Sequence, residues 1–187
     1  RDTFVNESEI IKRVIDGATQ EFNKLVEAHF DSVYRVIFLY VKNPEITEDL
    51  TQDTFMKAFT NIAAFRFKSS FKTWLIRIAI NTVKDYFRKS SIKNRYFVKC
   101  ELMEIQDFRS KPDELLESLE FKKFLDVAIS ELPEKLRIVY ILREQEKYSY
   151  EEIADIIKKP IGTVESRLFN ARKIIQQKFL KWIGEEK

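Results

Sequence analysis

Apolar residues recur along this chain at intervals of three and four. Phe22, Leu25, Val26, Phe30, Val33, Ile37, Phe38 and Val41 keep that spacing, which predicts an apolar-faced helix over 20–42. Asn43-Pro44 ends it, because the residue before a proline is pushed out of the α region. Glu45, Glu48 and Asp49 then open a second helix, where acids suit the positive end of the dipole. It continues through Leu50, Phe55, Phe59 and Ile62. Residues 63–70, AAFRFKSS, break the period and predict a loop with two aromatics and two bases. A third stripe follows in Phe71, Trp74, Leu75, Ile78, Ala79, Val83, Tyr86 and Phe87, with Lys72, Thr73, Arg77, Asn81, Lys84 and Arg88 opposite.

From about 90 to 115 the pattern is lost, and this stretch is the linker candidate. Periodicity returns with Leu115, Leu119, Phe121, Leu125, Val127, Ile129 and Leu132. Pro133 divides that helix from one carrying Leu136, Val139, Tyr140 and Leu142. Ser149-x-x-Glu152 has the form of a capping box ahead of Ile153, Ala154 and Ile157. The expected order is a short helix over 150–158, a tight turn at 159–162 holding Pro160 and Gly162, and a longer helix from 163 to about 180. In that last helix Val164, Leu168, Ala171, Ile175 and Phe179 should face inward. Thr163, Glu165, Ser166, Arg167, Asn170 and Lys173 are left outward. No internal repeat is visible. The expectation is an all-α chain of two small helical domains, 1–92 and 118–187, joined by a flexible acidic linker at 93–117.

Charge changes the picture. The net charge is only +3, but it is laid out in blocks. Residues 44–53 hold Glu45, Glu48, Asp49 and Asp53 against no base. Residues 66–99 hold ten bases against Asp85 alone, 100–120 hold seven acids against Arg109 and Lys111, and 158–181 hold seven bases against Glu165. Two basic blocks separated by acidic ones point to two polyanion-binding surfaces. Short helix, turn and basic second helix is the order of a helix-turn-helix, whose second helix enters the major groove N-terminus first. The alternative is a helical hairpin with a solvated basic face.

Composition excludes other classes. One cysteine, Cys100, allows no internal disulfide framework. One histidine, His29, leaves no His/Cys cluster for zinc and is expected either to pack structurally or to occupy a solvated helix position. No apolar run approaches the roughly 18 residues of a membrane span, and RDTFVNESEI lacks the form of a signal peptide. These features lead to the expectation of a cytoplasmic, metal-free, cofactor-free protein with no small-molecule substrate. No nucleophile–base pair stands out, so no catalysis is expected.

Two segments resemble a known family. YSYEEIADIIKKPIGTVESRLFNARK is similar to the C-terminal helix-turn-helix of bacterial extracytoplasmic-function (ECF) sigma factors, with Pro160, Gly162, Thr163, Val164, Ser166, Arg167, Leu168, Ala171 and Arg172 matching the signature. FKTWLIRIAINTVKDYFRK resembles the N-terminal signature of the same family through Phe71, Trp74, Leu75, Ile78, Ala79, Asn81, Asp85 and Arg88. The resemblance implies an alternative sigma factor that binds core RNA polymerase and directs promoter-specific initiation. Within TEDLTQDTFMKAFTNI, Glu48, Asp49, Gln52 and Asp53 would meet the β′ clamp helices. Phe65, Arg66 and Lys68 of the loop, with Arg77, Asn81, Lys84 and Arg88, would meet the −10 element. Phe67 accompanies Phe65 in that loop. Thr163, Glu165, Ser166, Arg167, Asn170 and Lys173 would meet the −35 element, and the second domain the β flap. An anti-sigma partner is implied as well. Glu165 and Asn170 stand where many relatives carry basic residues. Two rivals are a free-standing dimeric helix-turn-helix regulator and an enzyme such as a serine recombinase, for which Ser69-Ser70 would have to supply the nucleophile.

Overall fold

The computed structural model describes residues 6–89 and 112–185. Every regular element in them is helical: α1 (Glu7–Ile15), α2 (Phe22–Val41), α3 (Pro44–Asn61), α4 (Phe71–Lys89), α5 (Pro112–Ser130), α6 (Glu134–Tyr140), α7 (Tyr150–Ile157) and α8 (Ile161–Glu185). The linker expected at 93–117 lies mostly outside the described residues. The helices form two compact units, one built on α1 to α4 and the other on α5 to α8, and each is described by itself.

In the first unit α2 packs on both α3 and α4, which also pack on each other. Their shared core holds Leu25, Val33, Val36 and Ile37 from α2, Leu50, Phe55 and Ala58 from α3, and Phe71, Leu75, Ile76, Ala79, Ile80 and Val83 from α4. Asn43 caps α3 by accepting from the Ile46 amide at 2.9 Å, and Pro44 occupies the first turn, where its missing N–H costs nothing. Three threonines of α3, Thr47, Thr51 and Thr54, are buried with their hydroxyls donated to carbonyls four residues back, at 2.6, 2.7 and 2.7 Å. Lys57 joins α3 to α4 by donating to the buried Thr82 hydroxyl at 3.1 Å.

Two expectations about faces shift. Phe30 was expected inward, yet it is half-exposed and stacks on Tyr34 and Phe55 at centroid separations of 6.1 and 6.3 Å. On α4 the fully buried positions run through Thr73, Ile76, Ile80 and Thr82, while Trp74 and Ile78 are only half-buried. Phe71, Leu75, Ala79 and Val83 are buried as expected, and the inward face is wider than the apolar count because threonine with its hydroxyl satisfied also packs inward.

The stretch before residue 18 gave no expectation, yet it folds as α1. Asn6 accepts from the Ser8 amide at 3.2 Å, Glu7 and Glu9 occupy the first turn, and Ile10, Ile11 and Val14 are buried. Glu7 reaches α2, where its carboxylate lies 2.7 Å from His29 Nε2. His29 is buried, tilted against Phe71 at 5.5 Å, in the structural one of its two expected roles.

In the second unit α8 packs on α6 and α5. The core is Ala128, Ile129, Leu132, Ile138, Val139, Ile141, Leu142, Ile153, Ile156, Val164, Leu168 and Ala171. Pro133 separates α5 from α6 as expected. The end of α6 widens into a π turn over Ile141–Gln145, which the sequence did not reveal. Phe121, Phe124, Phe179 and Trp182 form an aromatic cluster with centroid separations from 5.0 to 6.5 Å. Among the described residues no helix is long and apolar enough to cross a membrane, and no group of three His, Cys, Asp or Glu side chains could hold a metal ion.

Candidate nucleic-acid interface

The helix-turn-helix of the second unit is built by local signals. Ser149 and Glu152 cap α7 reciprocally: the Glu152 amide donates to Ser149 Oγ at 3.1 Å and the Ser149 amide to Glu152 Oε2 at 2.8 Å. That is the capping box the spacing predicted. Glu151, in the same first turn, has its carboxyl held below the usual range by its own backbone amide and then by the Ser149 hydroxyl. At the far end Lys158 takes a left-handed conformation (φ 53°), and the Lys159 amide reaches back to the Ala154 carbonyl at 3.1 Å. This 6→1 bond ends the helix.

The turn differs from the sequence expectation. Gly162 was placed in the turn, with the next helix starting at 163; α8 in fact begins at Ile161. The Pro160 carbonyl accepts from the Thr163 and Val164 amides at 2.9 and 3.4 Å, and Gly162 sits inside the first turn without a positive φ. The chain reverses on Lys158 and Pro160.

Along α8, Val164, Leu168 and Ala171 are fully buried, as expected. Glu165, Ser166, Asn170 and Lys173 are exposed, while Thr163 and Arg167 are half-buried. Ser166 Oγ donates back to the Thr163 carbonyl at 3.2 Å. Phe169, which the sequence reading passed over, is 68% exposed among these polar residues. Its signal was available: it follows Leu168 off the inward stripe. Arg172 is turned toward Glu144, which keeps the guanidinium charged and raises its pKa, while burial and then the Glu144 carboxylate push the Tyr140 phenol up.

The first unit presents two faces. Glu48, Asp49, Gln52 and Asp53 are all exposed on α3; Asp49, Gln52 and Asp53 line a groove with Met56 and Tyr86. A row on α4 carries Arg77, Asn81, Lys84 and Arg88, at intervals of four, three and four that keep them on one side. Asn81 and Arg88 are exposed, Arg77 and Lys84 half-buried; Arg88 pairs with Asp85 at 3.0 Å in a bridge open to water.

The loop before α4 requires a correction. Phe65, expected to contact DNA, is only 5% exposed. Its ring packs against Phe67, Phe71 and Trp74 at 4.8, 5.6 and 5.4 Å, so it is core and has no free face for a base. The helical turn at Ile62–Ala64 ends with Phe65 folded inward. Phe67 is 44% exposed and sits on a left-handed backbone (φ 54°), its ring packed on Phe65 and otherwise open. Arg66 and Lys68 flank it, exposed. Ser70 caps α4, its Oγ accepting from the Thr73 amide at 3.0 Å.

Comparison with known proteins defines the class. Residues 25–92 match Sigma-70 region 2 and residues 125–175 match Sigma-70, region 4. The chain is 35% identical over 180 residues to an ECF RNA polymerase sigma-E factor of Haemophilus influenzae, covering 90% of this chain and 93% of that protein. It is 36% identical over 177 residues to an ECF RNA polymerase sigma-E factor of Escherichia coli, covering 90% and 92%. Its fold matches the sigma factor RpoE of Bartonella quintana, solved with the anti-sigma factor NepR, with a TM-score of 0.67 and 25% identity over 86% of this chain and 97% of that one. The chain belongs to the ECF family of RNA polymerase sigma factors. It is an alternative sigma factor that directs transcription initiation.

Proposed function

We propose that the two units divide promoter recognition between them. In this reading residues 1–92 form the unit that binds core polymerase and the −10 element, 93–117 the acidic strap, and 118–187 the unit that binds the −35 element and the β flap. Glu48, Asp49, Gln52 and Asp53 offer the basic β′ clamp helices an acidic face. Arg66, Lys68, Arg77, Lys84 and Arg88 neutralise phosphates near −10, releasing counterions and making affinity fall with salt, while Asn81 reaches a base edge. Phe67 takes the role that Phe65 cannot. Unpairing a base costs a few kcal/mol and stacking returns about 1 to 3 kcal/mol, so one exposed ring can hold an opened strand while melting draws on the whole assembly.

The observation that carries this reading is the exposed polar face of α8, held out by a buried Val164–Leu168–Ala171 stripe behind a capped α7. Relatives solved with anti-sigma factors support an inhibitory partner for this chain too. The chain itself performs no bond chemistry; polymerisation belongs to the core enzyme, in the cytoplasm. Run-off transcription with purified core polymerase is the test. Specific initiation that requires this chain supports the reading. Tight binding to a palindromic duplex without polymerase, and no stimulation of transcription, would replace it with a dimeric regulator.

A further inference from the structure

The outward side of α8 has an unusual property for a major-groove reader: no arginine stands at its centre. With about 100° between successive residues, Gly162, Ser166, Phe169, Asn170 and Lys173 point away from the buried stripe, with Glu165 at their edge. Arg167 lies about 160° round the helix from Phe169 and is half-buried, which suits it to the flanking phosphates. Arg172 is committed to Glu144 through Nε and Nη2. The commonest specific contact to DNA, arginine or lysine on guanine O6 and N7, is therefore left on this face to the exposed Lys173.

Beside Lys173, three side chains are free to read something other than guanine. The Asn170 amide and the Glu165 carboxylate are exposed, and neither has a hydrogen-bond or ion-pair partner among the described residues. Phe169 between them is the most exposed large apolar side chain of those residues. Gly162 supplies an independent sign of close approach. Its φ is ordinary, and a Cβ added to it would meet nothing within 4 Å. The fold itself therefore does not ask for glycine, which weakens a helix relative to alanine. A partner surface pressed against the first turn would.

We infer that α8 reads a −35 element through an amide, a ring and a carboxylate: Asn170 bonds N6 and N7 of an adenine, Phe169 packs on the methyl of a neighbouring thymine, and Glu165 accepts from N4 of a cytosine. These pairings follow from the donor and acceptor pattern of the major groove. Four residues, about 6 Å of rise, separate Glu165 from Phe169, so the cytosine lies one or two base pairs from the adenine–thymine contacts. The inference rests on the proposal that α8 enters the groove at −35, and it specifies what it reads there.

The test is selection by reconstituted holoenzyme from duplexes randomised across the −35 region with the rest of the promoter fixed. The wild type should enrich a cytosine and an adjacent adenine and thymine. Asn170→Arg should exchange the adenine for guanine at one position, and Glu165→Arg the cytosine for guanine at another, each by about tenfold. Replacing the thymine by deoxyuridine, which lacks the methyl, should weaken wild-type binding several-fold and leave Phe169→Ala indifferent. Gly162→Ala should raise thermal stability yet lower occupancy. If the wild type enriches a −35 sequence but these variants leave its positions unchanged, the inference is overturned and the docking proposal survives. If the wild type enriches nothing at −35, both fall.

Discussion

Arg172 donates to a single carboxylate oxygen of Glu144 from two nitrogens, Nε at 3.0 Å and Nη2 at 2.5 Å. The pair ties the middle of α8 to the π turn after α6, so an arginine that matches the family signature works here as a brace. Both side chains remain partly open to water, and such bridges contribute about 0.2 to 1 kcal/mol. Glu144→Ala and Arg172→Ala should each destabilise slightly in urea melts. A double-mutant cycle should return a coupling of that size, shrinking as salt is raised.

Deleting buried volume from α1 should show that this helix belongs to the fold. Ile11 is 1% exposed, and Ile→Ala at such sites costs about 2 to 5 kcal/mol. Urea unfolding of Ile11→Ala should show a loss in that range. A change below 0.5 kcal/mol, the usual scatter for surface sites, would mean that α1 is not docked in solution.

Phe65 and Phe67 should separate cleanly. Phe65→Ala removes a core ring and should cost about 3 to 5 kcal/mol of stability. Phe67→Ala should leave the melting curve nearly unchanged and reduce promoter opening, read by permanganate reactivity of unpaired thymines. The reverse pattern would return the base-stacking role to Phe65.

Asp49→Lys with Asp53→Lys reverses charge on an exposed face of α3. The double variant should keep its helical circular dichroism and lose co-elution with core polymerase. Retained co-elution would remove the clamp assignment.

Legibility in the sequence followed physical rules. Helices α2 to α8 were visible because their cores are Leu, Ile, Val and Phe at helical spacing, bounded by prolines at 44, 133 and 160. The capping box was legible because Ser149 and Glu152 need only each other. What escaped were features that depend on distant partners. The inward face of α4 includes threonines, whose burial is affordable only once a hydroxyl finds Lys57 or Ser70. The turn of α1 toward α2 needs Glu7 to meet His29, 22 residues away. Phe65 and Phe67 look alike in sequence, yet one is 5% and the other 44% exposed, a difference set by the packing of Phe65 on Phe71 and Trp74. At the candidate site, the outward polar residues of α8 could be listed from periodicity; that Arg172 would be claimed by Glu144 could not.

Left-handed joints follow the helices ending at Val41 and Ile157 and the π turn ending at Gln145, and in each case a lysine occupies the joint: Lys42, Lys158 and Lys147, with φ of 56°, 53° and 61°. A residue with a Cβ pays about 1 to 2 kcal/mol for that conformation. Lys147 is exposed, and Lys147→Gly should raise the melting temperature by a few degrees, which calorimetry would register; a fall would mean the ammonium group matters more than the strain. The corner at Lys147 thus carries slack outside every residue proposed to meet DNA. A hardier version for crystallography or for synthetic gene circuits could be made there while leaving untouched every surface proposed to meet DNA.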